Sequence, residues 1–274
     1  STNVIKTPVV SLFTAIGMDH KDQLGDTVEA IAKTKAGILK PGTYAVFNGD
    51  EAAALPVIEA EWKKRQIPLT VPDRNALDIV DSDLTGSTFT YKDYKGLRVG
   101  LSGVHQVQNA IAVIEVVETL RMQEWAVSDE ALRYGLANVR WPARFEVLRR
   151  EPLVIFDGAH NLNGVRRLRE NVERYFPGKK LVMLMGVMGD KDYNPMLDLM
   201  MPLCKRLYTV TPNNPRSLPA EKLAALGAAR GVPAKSISLT EEDVQGVLGK
   251  MAENEVLLMM GSLYMYGDLV KLLD

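Results

Sequence analysis

From residue 153 onward, short apolar segments alternate with segments of helical periodicity, and this alternation constrains the fold more than any other feature of the chain. Each apolar segment has the length and residue types of a strand buried on both faces. Strands that alternate with helices form a parallel sheet covered by helices on both sides. We therefore predict an α/β, Rossmann-like domain over residues 151–274. Its predicted strands are 153–156, 181–185, 206–210, 236–239 and 256–260.

The first 140 residues predict a second α/β region, and a length of 274 residues is itself typical of two domains. Trp141-Pro142-Ala143 marks the expected boundary, because proline stops a helix and the pattern changes there. We expect a first domain over 1–140, a linker over 141–150 and a second domain over 151–274. In the first domain we predict strands at 9–15, 44–48 and 68–71, a hairpin of 87–91 with 97–101, and helices at 27–35, 55–65, 104–122 and 128–136.

Composition narrows the classes of partner. Apolar residues make up 46% of the chain, charged residues make up 24% and the net charge is −1, which argues against a nucleic-acid or membrane partner. Cys204 is the only cysteine, which excludes an intrachain disulfide. No segment reads as a signal peptide or a membrane span. We expect a cytoplasmic monomer.

The polar residues Asp157-Gly158-Ala159-His160-Asn161 directly follow the first predicted strand of the second domain. Open α/β sheets bind their ligands outside the carboxyl ends of strands. We expect Asn161 to cap the next helix, and Asp157 and His160 to face a crevice there. The turn lacks G-x-G-x-x-G, which argues against a dinucleotide dehydrogenase.

Several further motifs accompany this one, and together they resemble folylpolyglutamate synthases of the Mur ligase superfamily in order and spacing. In chain order they are Gly17-Met18-Asp19-His20, Leu24-Gly25-Asp26-Thr27, Lys33-Thr34-Lys35-Ala36-Gly37, Lys40-Pro41-Gly42, His105-Gln106-Val107-Gln108-Asn109-Ala110, Trp141-Pro142-Ala143-Arg144-Phe145-Glu146, Gly189-Asp190-Lys191-Asp192 and Gly261-Ser262-Leu263-Tyr264. The resemblance covers almost the whole chain. It implies part of a P-loop-type Mur ligase central domain, followed by the Rossmann-like domain, which would bind glutamate.

The phosphate loop G-x-x-x-x-G-K-[ST] occurs nowhere in the sequence. In the resembled family this loop lies in an N-terminal half-domain. We therefore expect the chain to be an N-terminally truncated synthetase that is inactive as given.

The resemblance implies a Mg²⁺ site at His20 and Lys35. Mg²⁺ prefers oxygen ligands, and an ammonium group has no acceptor, so Lys35 could bind the ion only in modified form. In similar synthetases the matching lysine is carbamylated, which turns it into an oxygen-bearing anion that could bind Mg²⁺, and we expect Lys35 to be catalytic. The alternative role for Lys35 is a cation that favours the end of its helix. Thr34 stands where the family usually has glutamate.

For ATP, the resemblance implies that Asn109 contacts the adenine, Arg144 the phosphates and Asp157 the ribose. Each residue has a plainer alternative. Asn109 could make a first-turn hydrogen bond, Arg144 a salt bridge at the domain boundary and Asp157 a helix cap.

For the amino acid, the resemblance implies that His160 lies beside the reacting groups or the incoming amino acid and that Ser262 helps to hold the incoming glutamate. Lys191 follows the predicted strand 181–185 and could also face the crevice, so we assign it to substrate binding as well. The start of a helix after Ser262 favours a carboxylate ligand. Plain N-capping by Ser262 and a solvated loop position for Lys191 are the alternatives.

The implied reaction joins L-glutamate in γ-linkage to folate through an acyl phosphate, with ATP and Mg²⁺. A dihydrofolate synthase, alone or bifunctional, is an alternative within the same branch. A cell-wall Mur ligase is a weaker one, because those enzymes usually carry proline where this chain has Leu162. A non-catalytic ligand-binding module remains as the alternative from another class.

Overall fold

The computed structural model describes residues 3–17, 25–49 and 52–273. The chain divides between Arg140 and Trp141 into two compact units, which are described in turn. In the described part of the chain, no helix combines the length and apolar character that crossing a bilayer requires.

The first unit contains a parallel sheet in the order β1-β2-β3. Its elements are β1 (Val10–Phe13), α1 (Val28–Lys35), β2 (Tyr44–Phe47), α2 (Ala54–Arg65) and β3 (Leu69–Thr70). Phe13 and Phe47 pair in register at the carboxyl ends of their strands and pack into one apolar core with the two helices. Thr27 caps α1, because its hydroxyl accepts from the N–H of Ala30 at 3.1 Å.

The same unit also contains an antiparallel sheet, which packs against two helices in a second core. Its elements are β4 (Leu77–Asp83), β5 (Gly86–Tyr91), β6 (Tyr94–Val99), α3 (Val104–Met122) and α4 (Asp129–Asn138). The predicted hairpin corresponds to β5 and β6, which pair as expected. Strand β4 was not predicted, because aspartate occupies most of its exposed positions and disfavours strands.

The second unit is built on a six-stranded sheet in the order β11-β10-β9-β12-β8-β7. Its strands are β7 (Glu146–Arg150), β8 (Leu153–Asp157), β9 (Leu181–Met185), β10 (Cys204–Thr209), β11 (Ala234–Ser236) and β12 (Val256–Met260). Its helices are α5 (Leu162–Tyr175), α6 (Tyr193–Met200), α7 (Ala220–Ala228), α8 (Glu241–Leu248) and α9 (Tyr266–Leu273). Strands β8 to β12 pair in parallel, and β8, β9 and β12 are almost entirely buried, which confirms the predicted α/β class.

The stretch 141–150 differs from its prediction as a linker. Residues Glu146–Arg150 form the edge strand β7, which pairs antiparallel with β8 across a tight turn. Polar and charged residues occupy much of β7, which is acceptable at a sheet edge but obscures the strand in the sequence. The last predicted strand before β12, at 236–239, also lies slightly later than the observed β11 (Ala234–Ser236).

Candidate functional site

Three neighbouring parallel strands of the second unit end at the same level. Met260 of β12 pairs in register with Asp157 of β8 on one side and with Met185 of β9 on the other. The residues that follow these strands therefore emerge together at one edge of the sheet. This carboxyl edge is where open α/β sheets bind ligands.

Glycines allow the backbones to approach one another closely at this edge. Gly261 has a φ of +107°, and a Cβ on it would lie 2.5 Å from the carbonyl oxygen of Gly186. The N–H of Gly186 in turn donates to the carbonyl of Met260 at 3.2 Å. A Cβ on Gly158 would lie 2.2 Å from the side chain of Leu263. The loops after β8, β9 and β12 thus form one tightly packed structure.

Asp157, the last residue of β8, is buried and uses both carboxylate oxygens within the chain. Oδ1 accepts from the N–H of Ala159 at 2.8 Å, and Oδ2 accepts from the N–H of Phe145 at 2.9 Å. Burial raises the pKa of Asp157 to about 6, although the two N–H donors and the charge of Arg144 act in the opposite direction. Both oxygens of Asp157 are thus used within the chain, and its contact with a ribose stays a prediction.

The raised pKa of Asp157 predicts a pH-dependent stability. Between about pH 4 and pH 6 the folded chain keeps a proton that the unfolded chain has lost, so this group's contribution to the unfolding free energy falls as pH rises. As pH rises through this range, the unfolding free energy should fall by up to about 3 kcal/mol because of this group. Urea unfolding of the chain and of Asp157→Asn from pH 4 to 7 measures it. A constant difference between the two proteins over that range would contradict the prediction.

His160 and Asn161 follow in the same loop. Nδ1 of His160 lies 2.8 Å from the carbonyl oxygen of Gly158, and its ring is half-buried. Asn161 caps α5, because its side chain accepts from the N–H of Gly164 at 2.8 Å, and this prediction is confirmed. Since Asn161 caps the helix, Asp157 is not needed for that role.

Ser262 begins the loop after β12 and is buried, with 2% of its surface exposed. Its hydroxyl accepts from the N–H of Tyr264 at 3.2 Å and caps a short 3₁₀ turn, Leu263–Met265, before α9. Plain capping is therefore present. A hydroxyl that accepts one hydrogen bond also carries a donor hydrogen, so the cap is compatible with the predicted glutamate contact, which stays a prediction.

Two cationic residues lie in the loops after β9 and β10. Lys191 is half-buried in the first loop, and Arg216 lies in the second. The loops are joined by hydrogen bonds, including one of 2.7 Å from the N–H of Gly189 to the carbonyl of Arg216. Arg216 pairs with Asp190 at 2.9 Å and reaches the hydroxyl of Tyr264, in the loop after β12, at 3.5 Å.

Arg216 was not among the residues predicted for the site. Its segment, Asn213-Asn214-Pro215-Arg216, follows a predicted strand just as Asp157-Gly158-Ala159-His160-Asn161 does. Its position after a strand could therefore have indicated a site residue. An arginine in a loop rich in asparagine and proline, however, has no spacing that distinguishes it from an ordinary surface residue. Only the pairing of the loops shows that it lies beside the other polar residues.

Arg144 lies in the turn before β7 and is half-buried. It is near enough to Asp157 to lower that residue's pKa. The second unit thus gathers the predicted residues Arg144, Asp157, His160 and Ser262 on adjacent strands, with Lys191 in a loop of the same edge.

The predicted residues of the first unit are less concentrated. Asn109 is exposed on α3, and its Nδ2 donates to Oε1 of Gln106 at 3.1 Å. It lies at a groove of about 330 Å³, lined mainly by apolar side chains of α3 and α4. Lys35 is the exposed last residue of α1, and His20 lies outside the described residues. Across the parts of the chain that are described, no three histidine, cysteine or carboxylate side chains come together as a metal-binding group.

Comparison with known proteins places both units in one family. Residues 2–117 match the Mur ligase middle domain, and residues 143–263 match the Mur ligase glutamate ligase domain. The dihydrofolate synthase/folylpolyglutamate synthase of Bacillus subtilis is 34% identical over 99% of this chain and 64% of its own length. The folylpolyglutamate synthase of Lacticaseibacillus casei is 35% identical over 84% of this chain and 55% of its own length.

A solved structure supports the same conclusion. The Mycobacterium tuberculosis folylpolyglutamate synthase complexed with ADP superposes with a TM-score of 0.83 at 27% identity, and covers 99% of this chain and 64% of that one. The chain therefore spans less than two thirds of the length of these relatives. With its middle domain and its glutamate ligase domain both matched, the chain belongs to the Mur ligase family, whose folylpolyglutamate and dihydrofolate synthases it is similar to.

Proposed function

We propose that this chain serves an ATP-dependent ligase that adds L-glutamate in γ-linkage to folate. The observation that carries the proposal is the set of polar residues at the carboxyl edge of the second unit, in the region matched by the glutamate ligase domain. The names of the relatives support folate as the acceptor. The reaction has two steps. A folate carboxylate attacks the γ-phosphate of ATP and releases ADP, which gives an acyl phosphate. The amine of glutamate then attacks the acyl carbon, and phosphate and a proton are released as the amide forms.

Glutamate binding is assigned to Ser262, Arg216 and Lys191. The amino acid carries two carboxylates, and the two cations can each pair with one of them. The hydroxyl of Ser262 and the N–H groups at the start of the following turn favour an anion. His160 lies in the neighbouring loop, beside the position where the amine would attack.

For the nucleotide, we assign Arg144 and Asp157 in the second unit and, separately, Asn109 in the first unit. A permanently charged guanidinium suits the phosphates. An asparagine side chain can pair with the edge of adenine, and the apolar groove beside Asn109 offers a surface for the flat base. The complexes of the Mycobacterium tuberculosis relative with ADP and AMPPCP support ATP as the nucleotide.

Mg²⁺ belongs to the proposal, but the described residues do not form a site for it. Lys35 is the one predicted ligand among them, and its ammonium group cannot bind a cation unless it is carbamylated. No step is therefore assigned to a metal here. A dihydrofolate synthase activity is the second candidate, because the Bacillus subtilis relative carries both names.

Ser262→Ala tests the proposal. A hydrogen bond to a charged group contributes about 1.5–3 kcal/mol, so its loss should weaken L-glutamate binding about tenfold to hundredfold. Calorimetric titration of the 274-residue chain measures this. Binding is the readout because it reports on the contact with glutamate directly and does not depend on turnover.

Ser128→Ala is the matched control, because Ser128 also caps a helix and accepts from the N–H of Ala131 at 3.1 Å. Both variants should lose about 1 kcal/mol of stability, but only Ser262→Ala should lose glutamate affinity. Equal glutamate affinity in Ser262→Ala and the unmodified chain would remove Ser262 from the site. A chain that does not bind glutamate at all would count against the proposed function.

A further inference from the structure

The turn that carries Arg144 has an unusual backbone. Ala143 has a φ of +60° and Phe145 a φ of +45°, so two residues with side chains adopt the left-handed conformation on either side of the arginine. This conformation costs roughly 1–2 kcal/mol for each residue other than glycine. Both side chains are buried, so the turn is also fixed by packing. Such strain persists only where surrounding contacts compensate for it.

Two carboxylates provide that compensation. Oε2 of Glu146 accepts from the N–H of Ala143 at 2.7 Å, and Oδ2 of Asp157 accepts from the N–H of Phe145 at 2.9 Å. The backbone N–H groups immediately before and after Arg144 are thus each held by a carboxylate. Hydrogen bonds to ionised acceptors are shorter and stronger than neutral ones.

The turn is also tied to the loop after β8. The carbonyl oxygen of Ala143 accepts from the N–H of Gly158 at 2.9 Å. Glu146 is itself held by the hydroxyl of Tyr266, whose pKa is raised to about 12 by burial, by that hydrogen bond and by the charge of Glu146. The ring of Tyr266 packs edge-on against Phe156 of β8, with ring centroids 5.2 Å apart. The backbone around Arg144 is therefore joined to β8 from both sides.

We propose that Glu146 and Asp157 are positioning residues that act as a pair on Arg144. By holding the N–H groups on either side of it, they fix its backbone and present its guanidinium to the phosphates of the nucleotide. This inference rests on the proposed function, because it takes the phosphates as the target of Arg144. It also gives Asp157 a role that needs no contact with the ribose.

ADP and adenosine titrations of the unmodified chain and its variants, followed by NMR, test the proposal. Adenosine lacks the phosphates, so the difference between the two affinities isolates their contribution. Glu146→Ala should weaken ADP binding about tenfold and change adenosine binding less than twofold. Glu146→Gln retains an acceptor oxygen and should restore most of the affinity. Glu151→Ala, which removes an exposed carboxylate in the β7–β8 turn, should have no effect.

The same titrations in an Arg144→Ala background separate positioning from a purely structural role. If Glu146 acts through Arg144, Glu146→Ala should have less than a twofold effect on ADP binding once the arginine is absent. An equal loss of ADP affinity in both backgrounds would overturn the proposal. So would an unchanged affinity of Glu146→Ala in the presence of Arg144.

Amide hydrogen exchange tests whether the two carboxylates hold the turn, independently of whether the chain binds a nucleotide. If the unmodified chain binds ADP no better than adenosine, Arg144 does not contact phosphates and the nucleotide assignment fails. The pair is then judged on the amides of Ala143 and Phe145. The protection of the Ala143 amide should fall about tenfold or more in Glu146→Ala, and that of the Phe145 amide in Asp157→Ala. Unchanged protection would show that the carboxylates do not hold the turn.

Discussion

Gly261→Ala is expected to lower the free energy of unfolding by about 3–5 kcal/mol. Gly261 has a φ of +107°, which a residue with a side chain rarely adopts. A Cβ there would lie 2.5 Å from the carbonyl oxygen of Gly186 and 3.1 Å from a methyl group of Val187. The first obstacle is backbone at the end of β9, so the strands themselves would have to separate.

The matched control is Gly267→Ala, only a few residues away. Gly267 is exposed in α9, and a Cβ added to it would meet no atom within 4 Å. Alanine is the better helix former, so this change should stabilise the chain by about 0.5–1 kcal/mol. Urea denaturation of both variants measures the two effects. If Gly261→Ala lowered the free energy of unfolding by less than about 1 kcal/mol, β9 and β12 could separate at their carboxyl ends at little cost, and the prediction would be wrong.

Glu255→Ala is expected to lower the free energy of unfolding by about 2–4 kcal/mol. Glu255 lies at the amino ends of the parallel strands, opposite the edge that carries the candidate site. The buried carboxylate just before β12 pairs with Lys205 at 2.7 Å and with Arg206 at 2.7 Å, both on β10. It also accepts from the N–H of Ala252 at 2.9 Å. Its removal leaves the half-buried Arg206 without that partner. The estimate is below that for a fully buried pair because the side chain of Lys205 is 53% exposed.

This second prediction has a defined pH dependence. Burial alone would raise the pKa of Glu255, but the hydrogen bonds from Lys205 and Ala252 and the charge of Arg206 together lower it. A carboxylate with a lowered pKa contributes its stability above the unfolded value and loses it as pH falls through the folded value. The cost of Glu255→Ala should therefore shrink below about pH 4. The exposed Glu253 provides the control, since Glu253→Ala should change the unfolding free energy by less than about 0.5 kcal/mol at any of these pH values.

The sequence by itself determined the α/β class and most of the elements. The apolar strands β8, β9 and β12 could be recognised because strands buried on both faces carry no polar residues to interrupt the pattern. The helix caps Thr27, Ser128 and Asn161 could be predicted because a cap depends on residues only three positions apart. Strands β4 and β7 could not, because aspartate and serine in β4 and glutamate and arginine in β7 interrupt any apolar pattern.

The candidate site could likewise be predicted only in part. Its loops could be predicted, because the carboxyl end of each buried strand is visible in the sequence. Arg216 could not be predicted as part of the site. It lies there because the loops after β9 and β10, which are about 30 residues apart in the chain, pair with each other. The N–H of Phe145 donates to Asp157, which lies 12 residues later in the chain. This hydrogen bond helps to hold the left-handed turn around Arg144, and it forms only when β7 and β8 pair. Such contacts have no local pattern, so only the tertiary structure decided which polar residues are bound within the chain and which remain available to a ligand.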